Sequence, residues 1–343
     1  MDVSVIVRSK DEADRLKLTI AALSAQTVQP EVIVVNDGSS DHTGEVLSAA
    51  RSLLPLARID NPRPIGRAAA SNAGAAMAGG DILLFLDGDV LPQPTLVARH
   101  LALHGEESDQ IGRGETWHLR QTRHFLDPST GSPMPGEAER VAGLSQAERR
   151  ASLVTPEAIL EDFASIEARA QPAIYPGGGP RRLYDIELDA LRMAPQCPTL
   201  WAAASGHNLS LAREAFLEAG GFDPGLDINE HRDLALRLCG DGLSMAPVEG
   251  RSYHMTHRKG WRDPLAEPAW MERFYRAHPT PAVALLRVLW AGLSDRPTIP
   301  EAARITSLPA LAAAAARIAP GLTLDGVIAQ HLRLSAAHQA SPA

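Results

Sequence analysis

Two aspartates separated by one glycine stand at the end of an apolar run near residue 85. The stretch reads FLDGDVLPQP, with Asp87 and Asp89 on either side of Gly88. A carboxylate pair on a tight turn suits a hard divalent cation that also binds phosphate oxygens, and glycine lets the backbone turn there. Mg2+ or Mn2+ keeps open positions for a diphosphate when the protein supplies only one or two carboxylates. The alternative is an ordinary Asp-Gly turn without a ligand.

Acidic side chains also follow two other apolar runs. Asp11 and Glu12 come soon after the run VSVIV, and Asp37 comes after the run EVIVV. Both runs are short and β-branched, as strands are, and the segments between the runs have apolar residues near helical spacing. This alternation predicts an α/β fold with a doubly wound, mostly parallel sheet. Because ligands gather at the carboxyl ends of such strands, we expect all these acids to converge on one cleft.

The rest of the chain is less regular up to about residue 200 and helical afterwards. Two segments rich in Pro and Gly, LDPSTGSPMPGEAER and YPGGGPRR, are predicted to be loops. Residues 211–240 and the Ala-rich tail after about residue 265 return to a helical pattern. We therefore expect a C-terminal helical extension on the α/β fold.

Composition narrows the class of protein. The 343 residues carry a formal net charge of -8, so no basic balance points to nucleic acid. Cys197 and Cys239 lack metal-ligand spacing, and we expect two reduced thiols. No signal peptide and no run of about 20 apolar residues is present, which predicts a cytoplasmic protein without a transmembrane segment. The stretch PAVALLRVLWAGL is interpreted as a packing helix, with peripheral membrane contact as the alternative.

Several motifs together resemble one family. The ordered series VSVIVRSKDE, VVNDGSSDHT and GRAAASNAGAAMAGGDILLFLDGD resembles the family 2 glycosyltransferases, which have the GT-A (nucleotide-diphospho-sugar transferase) fold, a Rossmann-like sheet. A later block, SGHNLSLAREAFLEAGGFDPGLDINEHRDLALRL, is similar to the family's G-x-N-x-x-x-R and E-D-x-x-L-x-x-R segments. The stretch GLSMAPVEGRSYHMTH resembles a galactosyltransferase-type C-terminal half ending in a histidine-containing strand. The likeness spans roughly residues 3–260.

The resemblance implies a division of the chain. Residues 1–264 would form the GT-A domain, with a nucleotide-sugar-binding half at 1–104 and an acceptor and catalytic half at 105–264. Residues 265–343 would form the helical extension.

The resemblance also implies a set of residues that bind the nucleotide-sugar. Asp37 would read the uracil imide N–H of a UDP-sugar, since an ionised carboxylate only accepts hydrogen bonds. Glu12, with Asp11 beside it, would lie near the nucleoside, and Asp87 near the ribose and diphosphate. The full expected set is Ser9, Asp11, Glu12, Asp37, Gly66, Asn72, Asp87 and Gly88.

By the same resemblance, Asp87-Gly88-Asp89 is the family's D-x-D motif. Asp89 would be the ligand of Mn2+ or Mg2+, and a late histidine, His254 or His257 or both, would complete the metal site. Structural roles for the two histidines are the alternative.

The catalytic base is expected at the start of a helix near residue 230. The family shows Glu-Asp there, whereas this chain has Glu230 and His231. Either side chain could take the proton of an acceptor hydroxyl. A carboxylate is a common general base, and the pKa of histidine lies near operating pH. Asp233, one helical turn on, is the third candidate of this group.

The resemblance implies a metal-dependent hexosyltransferase that inverts the anomeric centre. UDP is favoured as the donor nucleotide, and GDP and dTDP remain because Arg8 and Asn36 depart from the family pattern. The acceptor could be a glycan, a peptide, a lipid-linked sugar or a small molecule. The main alternative is a non-catalytic nucleotide-sugar-binding or scaffold protein, suggested by the altered Glu230-His231 pair. A dehydrogenase and a nucleotidyltransferase are disfavoured, because RSKDE replaces a Gly-rich phosphate loop after the first strand.

Overall fold

The computed structural model describes residues 1–106, 109–172, 183–226, 228–257, 265, 267, 269–294 and 298–340. Its strands are β1 (Val3–Ser9), β2 (Glu31–Asn36), β3 (Leu56–Asp60), β4 (Ile82–Asp87), β5 (Val90–Pro92), β6 (Gln110–His118), β7 (Phe125–Asp127), β8 (Ser132–Pro133), β9 (Gln171–Pro172), β10 (Leu209–Ala212) and β11 (Ser244–His254). Its α-helices are α1 (Ala13–Ser24), α2 (Thr43–Ala50), α3 (Arg67–Met77), α4 (Leu96–Glu106), α5 (Ala138–Ala142), α6 (Gln146–Ser152), α7 (Pro156–Glu161), α8 (Phe163–Glu167), α9 (Leu183–Met193), α10 (Arg213–Glu218), α11 (Glu230–Gly240), α12 (Ala269–Ala277), α13 (Pro281–Leu293), α14 (Leu308–Ala316) and α15 (Leu324–Ala340).

One mixed sheet organises the described part of the chain. Its strand order is β3-β2-β1-β4-β10-β6-β11-β5, and β9 pairs with β6. The pairs β1–β2, β2–β3, β1–β4 and β6–β11 are parallel, whereas β10 runs antiparallel to β4 and to β6. The predicted α/β fold with a mostly parallel sheet is confirmed.

The first strand shows why this sheet is covered on both faces. Val5 and Val7 belong to a cluster that includes Leu16 of α1 and Leu47 of α2. Ile6, between them, packs instead into a second cluster with residues of α3. Successive side chains of a strand point to opposite faces, so an uninterrupted β-branched run buries both.

The turn after β4 joins the two parts of the sheet. Gly88 and Asp89 lead from β4 directly into β5, which runs antiparallel to β11 with Val90 opposite His254. This register brings Asp89 to the end of β11. A Cβ on Gly88 would lie 2.5 Å from Glu12 Oε1 and 2.9 Å from Ser9 Cβ, so a side chain at this position would displace its neighbours.

Two expectations about loops met different outcomes. Within residues 126–140, predicted to be loop, the chain forms part of a short hairpin, β7–β8, and begins α5. Asp127 stabilises the hairpin turn by accepting hydrogen bonds from the backbone N–H and hydroxyl of Ser129, both at 2.7 Å. The predicted loop at 175–182 lies outside the described residues.

The C-terminal tail is helical, as expected, and packs against α11 and the segment around residue 201. Trp270, Phe274 and Leu285 share one hydrophobic cluster with Trp201 and Leu234. The apolar residues of α13, the stretch PAVALLRVLWAGL, are mostly buried in the protein, which supports the interpretation of a packing helix. Among the described residues, no helix has both the length and the apolar character needed to span a membrane.

Candidate active site

A carboxylate and two imidazoles meet where β5 and β11 leave the sheet. Asp89 Oδ2 lies 3.0 Å from His254 Nε2 and 2.7 Å from His257 Nε2. One ligand atom from each of the three residues lies within 4.8 Å of the others, as a shared metal ion requires. Asp89 Oδ1 is buried and accepts no hydrogen bond from the described part of the chain. One carboxylate and two imidazoles are ligands that suit a divalent transition ion, and the carboxylate still has an oxygen without a hydrogen-bond partner among the described residues.

The charges of this triad support each other. Burial alone would raise the pKa of Asp89, but His254 and His257 hold that pKa well below its usual range. Burial alone would lower the pKa of His254, but the Asp89 carboxylate raises it above its ordinary value. The triad therefore contains an ionised carboxylate at neutral pH, which is the form that binds cations.

Sequence reasoning missed two residues that hold the triad. His118 Nδ1 lies 3.2 Å from His254 Nδ1, and burial keeps the pKa of His118 well below its ordinary value. The buried Arg15 of α1 donates to the carbonyl oxygens of Met255 at 3.2 Å and Phe125 at 2.8 Å. The signal for His118 lies in strand pairing, since it is the register partner of His254 on β6, and pairing is not readable from one sequence.

Asp87 is neutralised by side chains of the protein itself. Arg8 Nη2 lies 2.8 Å from Asp87 Oδ1, and His207 Nδ1 lies 3.4 Å from Asp87 Oδ2. Burial alone would raise the pKa of Asp87, but Arg8 and His207 lower it to about 2. Sequence analysis had treated Arg8 only as a departure from a family pattern and had not selected His207. Asp87 therefore differs from Asp89, whose side chain has the imidazoles of His254 and His257 as its hydrogen-bond partners among the described residues.

The first loop contributes two acids with opposite behaviour. Glu12 lies behind Gly88 near Ser9, and burial, together with Asp89 and Asp87, raises its pKa well above the ordinary value. Asp11 Oδ1 accepts from the backbone N–H of Ser40 at 2.7 Å, which ties the loop after β1 to the loop after β2. An ion pair with Lys10 is the main cause that lowers the pKa of Asp11 to about 2.

The Asp37 carboxylate, at the end of β2, accepts hydrogen bonds from the segment that leads into α3. Asp37 Oδ1 accepts from Asn61 Nδ2 at 2.9 Å and from the Ile65 N–H at 2.8 Å, and Oδ2 accepts from the Gly66 N–H at 3.0 Å. Gly66 has φ 93°, a conformation that favours glycine, and immediately precedes α3. A carboxylate has about four acceptor positions, and described residues occupy three of those of Asp37.

Asn72, unlike the other residues expected to bind the nucleotide, has its side-chain amide bonded to the backbone of a later loop. Its Nδ2 donates to the Phe222 carbonyl at 2.8 Å, and its Oδ1 accepts from the Phe222 N–H at 2.9 Å. Both ends of the amide thus fasten α3 to the GGF segment. This contact accounts for the asparagine without a ligand.

The candidate bases stand at the start of α11. Glu230 is buried, and its Oε2 lies 3.7 Å from His231 Nδ1. Asp233 has other partners: it accepts from Arg237 Nη2 at 2.9 Å and faces His278 Nε2 at 2.8 Å. Asp233 therefore links α11 to the C-terminal helices, whereas Glu230 and His231 face each other.

Arg8 interacts electrostatically with acids from three parts of the site. Four carboxylates, those of Asp87, Glu230, Glu12 and Asp89, raise the pKa of Arg8 against the lowering effect of its burial. A cation at the end of β1 is thus surrounded by acids from the first loop, the end of β4 and the start of α11. The arrangement can hold a divalent ion at one side, and at the other an ionised carboxylate able to accept a proton.

Solved structures identify the class of fold. The mannosyltransferase PcManGT from Pyrobaculum calidifontis, in complex with GDP-Man and Mn2+, matches 98% of this chain and 74% of its own, with a TM-score of 0.50 and 16% identity. S. aureus TarS 1-349 in complex with UDP matches 85% of this chain and 69% of its own, with a TM-score of 0.50 and 13% identity. At such identities the likeness establishes the fold, which is the GT-A fold of glycosyltransferases.

The sequence comparison points to one family. Residues 4–118 match the model of glycosyl transferase family 2, which agrees with the resemblance described for the sequence motifs. The model ends at residue 118, and the galactosyltransferase-type second half stays a prediction.

Curated relatives agree with this family and are longer. The uncharacterized glycosyltransferase YfnE of Bacillus subtilis is 35% identical over 121 residues, which are 34% of this chain and 30% of that protein. The validoxylamine A glucosyltransferase of Streptomyces hygroscopicus subsp. limoneus is 26% identical over 305 residues, 84% of this chain and 59% of that protein. The chain thus spans less than two thirds of the length of both relatives.

Proposed function

We propose that this chain transfers a sugar from a nucleotide-sugar to a hydroxyl group of an acceptor, in a metal-dependent single displacement that inverts the anomeric centre. The observation that carries the proposal is the triad of Asp89, His254 and His257. Only Gly88 separates Asp89 from Asp87, and Asp89 and Glu230 both interact electrostatically with Arg8. The match of residues 4–118 to the family 2 model supports the reaction type.

The donor would lie along the carboxyl ends of β1, β2 and β4. Asp37 keeps one acceptor position for a base N–H, and Arg8 offers a cation beside the position of a diphosphate. TarS was solved with UDP and PcManGT with GDP-Man, so both nucleotides are represented among proteins of this fold. We favour a UDP-sugar and retain a GDP-sugar as the second candidate.

The metal would be held by Asp89, His254 and His257. Two imidazoles beside one carboxylate favour a transition ion such as Mn2+ over Mg2+. When bound, such an ion neutralises charge on the departing diphosphate as a Lewis acid. His118 would orient His254 by accepting its Nδ1–H, the contact that fixes a liganding imidazole.

The acceptor hydroxyl would lose its proton to the pair at the start of α11. Burial alone would raise the pKa of Glu230, but His231, Arg8 and Arg67 lower it to about 2, so this carboxylate is ionised at neutral pH. An ionised carboxylate within reach of the hydroxyl can remove its proton as the oxygen attacks the sugar. Asp233 would support the helix through its contacts to Arg237 and His278.

The domain boundary is part of the same proposal. Residues 1–264 would form the catalytic domain and residues 265–343 a supporting extension. The contact between Asp233 and His278 and the cluster shared with Trp270 support an extension that stabilises the position of α11.

A turnover assay with Mn2+ tests the proposal. We would measure nucleotide release from UDP-glucose, UDP-N-acetylglucosamine, UDP-galactose and GDP-mannose, with wild type and Asp89→Asn. We expect turnover of one donor by the wild type and a loss of at least about 100-fold in the variant. Asp81→Asn is the matched control, because Asp81 lies just before the opposite end of β4 and its side chain is 65% exposed. Nucleotide binding without turnover of any donor would favour the scaffold alternative.

A further inference from the structure

We propose that Glu230 is the general base and that His231 is a positioning residue, which Arg232 holds as the neutral imidazole with its hydrogen on Nδ1. The inference rests on the proposed function, because it assigns the two members of the pair to separate roles. It is carried by the hydrogen bonds around α11.

The tautomer of His231 follows from its partner. Arg232 Nη1 lies 2.8 Å from His231 Nε2. A guanidinium only donates hydrogen bonds, so Nε2 accepts and the hydrogen of the neutral ring is on Nδ1. Nδ1 is the nitrogen that faces Glu230 Oε2, at 3.7 Å. One nitrogen is therefore engaged by Arg232 and the other already carries its hydrogen, so His231 has no nitrogen ready to take the acceptor's proton.

Arg232 is fixed in this position by a buried network. Its guanidinium donates to the Ala202 carbonyl at 2.7 Å, to Asn229 Oδ1 at 2.8 Å and to Glu187 Oε1 at 2.6 Å. Glu187 is 1% exposed and also accepts from the fully buried Arg113 at 3.2 Å. A buried ion pair that loses one partner is strongly destabilised, so the network resists rotation of Arg232. It links α9 and β6 to the start of α11.

The charges that face the pair agree with these roles. Glu230 is faced by His231 on its own helix, by Arg8 of β1 and by Arg67 of α3. His231 is faced by Glu230, Arg232 and His207, and burial is the main cause that lowers its pKa to about 4. His231 is therefore neutral at physiological pH. Its buried Nδ1 lies 3.7 Å from Glu230 Oε2, beyond hydrogen-bond distance, and makes no hydrogen bond with the described residues. The N–H dipole still faces the anionic carboxylate and favours its ionised, proton-accepting form.

Gly206 leaves open space beside this carboxylate. A Cβ on Gly206 would lie 3.5 Å from Glu230 Oε1, 3.4 Å from His231 Nδ1 and 3.5 Å from Arg8 Nη2. Glycine thus leaves room for a small group within reach of the base. We assign this space to the attacking hydroxyl of the acceptor.

Two substitutions of His231 test whether its side chain acts as an N–H group near Glu230 or as a base. Asparagine places an N–H near the former Nδ1 and has no basic nitrogen, whereas glutamine is longer and places its amide near the former Nε2. We expect His231→Asn to retain turnover within about tenfold of wild type, and His231→Gln to lose more and to shift the acid limb of the pH profile upward. Glu230→Gln should lose about 100-fold to 10,000-fold, the usual contribution of a general base. Equal loss in His231→Asn and Glu230→Gln would overturn the assignment.

A spectrum gives a readout that does not depend on activity. Long-range 1H–15N correlations of 15N-histidine-labelled wild type, with His231→Asn to assign the signal, report which nitrogen is protonated. We expect an Nδ1–H tautomer that does not titrate between about pH 5.5 and 8. An Nε2–H tautomer, or titration in that range, would overturn the inference alone. A wild type that turned over no nucleotide-sugar would overturn the proposed function, and the base assignment with it.

Discussion

Arg8 and Asp87 are register partners on the neighbouring parallel strands β1 and β4, and the Arg8 guanidinium lies 2.8 Å from the Asp87 carboxylate. This ion pair places a permanent cation among the acids of the cleft. It also distinguishes Asp87 from Asp89, because Asp87 pairs with an arginine whereas Asp89 hydrogen-bonds to two imidazoles.

Removal of the Arg8 cation should shift the pH dependence of turnover. Arg8→Met leaves Asp87 and Glu230 without a charge that lowers the pKa of both. We expect the acid limb of the kcat/KM profile to move upward by about one pH unit or more, since one unit corresponds to about 1.4 kcal/mol of lost interaction. Arg8→Lys retains the positive charge, so we expect the acid limb of the kcat/KM profile to move less in this variant. An unchanged profile in Arg8→Met would contradict this role.

An added methyl group at residue 206 should obstruct the acceptor and leave donor binding intact. The new Cβ of Gly206→Ala meets its nearest protein atoms at 3.4 to 3.5 Å, which is ordinary contact, so the fold should tolerate it. We expect nucleotide affinity within about twofold of wild type and transfer reduced about 10- to 100-fold, because small misplacements are costly in catalysis. Calorimetry and turnover measure the two quantities. Unaltered transfer would mean that the hydroxyl approaches from elsewhere.

A methyl group at residue 88 should destabilise the protein. Its Cβ would lie 2.5 Å from Glu12 Oε1 and 2.9 Å from Ser9 Oγ, too close for the side chains to remain in place. We expect Gly88→Ala to lower the free energy of unfolding by about 1 to 3 kcal/mol. Gly44→Ala is the matched control, because a Cβ there meets nothing within 4 Å and alanine favours the helix. Equal stability of the two variants in urea unfolding would refute the steric argument.

The sequence predicted the sheet and the residues at its strand ends better than it predicted their partners. Short β-branched runs identified β1, β2 and β4, because strands buried on both faces need such side chains. Asp89, His254 and His257, separated in sequence, do meet in the structure, as a metal site would require.

Contacts that depend on strand register or on buried packing could not be predicted in this way. The pairings of Arg8 with Asp87 and of His118 with His254 follow from which strands lie side by side. The engagement of Asn72 with Phe222, 150 residues apart, depends on the packing of α3 against a later loop. A motif shows which residue type stands at a position, but not the atoms that surround it after folding.

Acid should destabilise the fold through two buried histidines of α4. His100 Nδ1 lies 2.7 Å and His104 Nε2 2.8 Å from Ser210 Oγ, and burial is the main cause that lowers the pKa of each to about 4. The unfolded chain takes up these protons near pH 6.5, so their contribution is complete above that pH and is lost as the pH falls toward 4.

The loss should reach up to about 3 kcal/mol per histidine at pH 4, measured as the free energy of unfolding in urea. His104→Gln retains an N–H near Ser210 without the titration, so its stability should fall less steeply between pH 6.5 and 4. Identical slopes for the variant and the wild type would exclude His104 as a source of the effect.

The most direct test of the account is calorimetric titration of the wild type and Asp89→Ala with UDP, GDP and dTDP, each with and without Mn2+. The account predicts that one nucleotide binds the wild type only when Mn2+ is present. It also predicts that Asp89→Ala weakens this binding at least about tenfold, since a ligand of the ion is lost. Failure of every nucleotide to bind with Mn2+, or equal affinity in Asp89→Ala, would contradict a nucleotide-sugar site built on Asp89, His254 and His257.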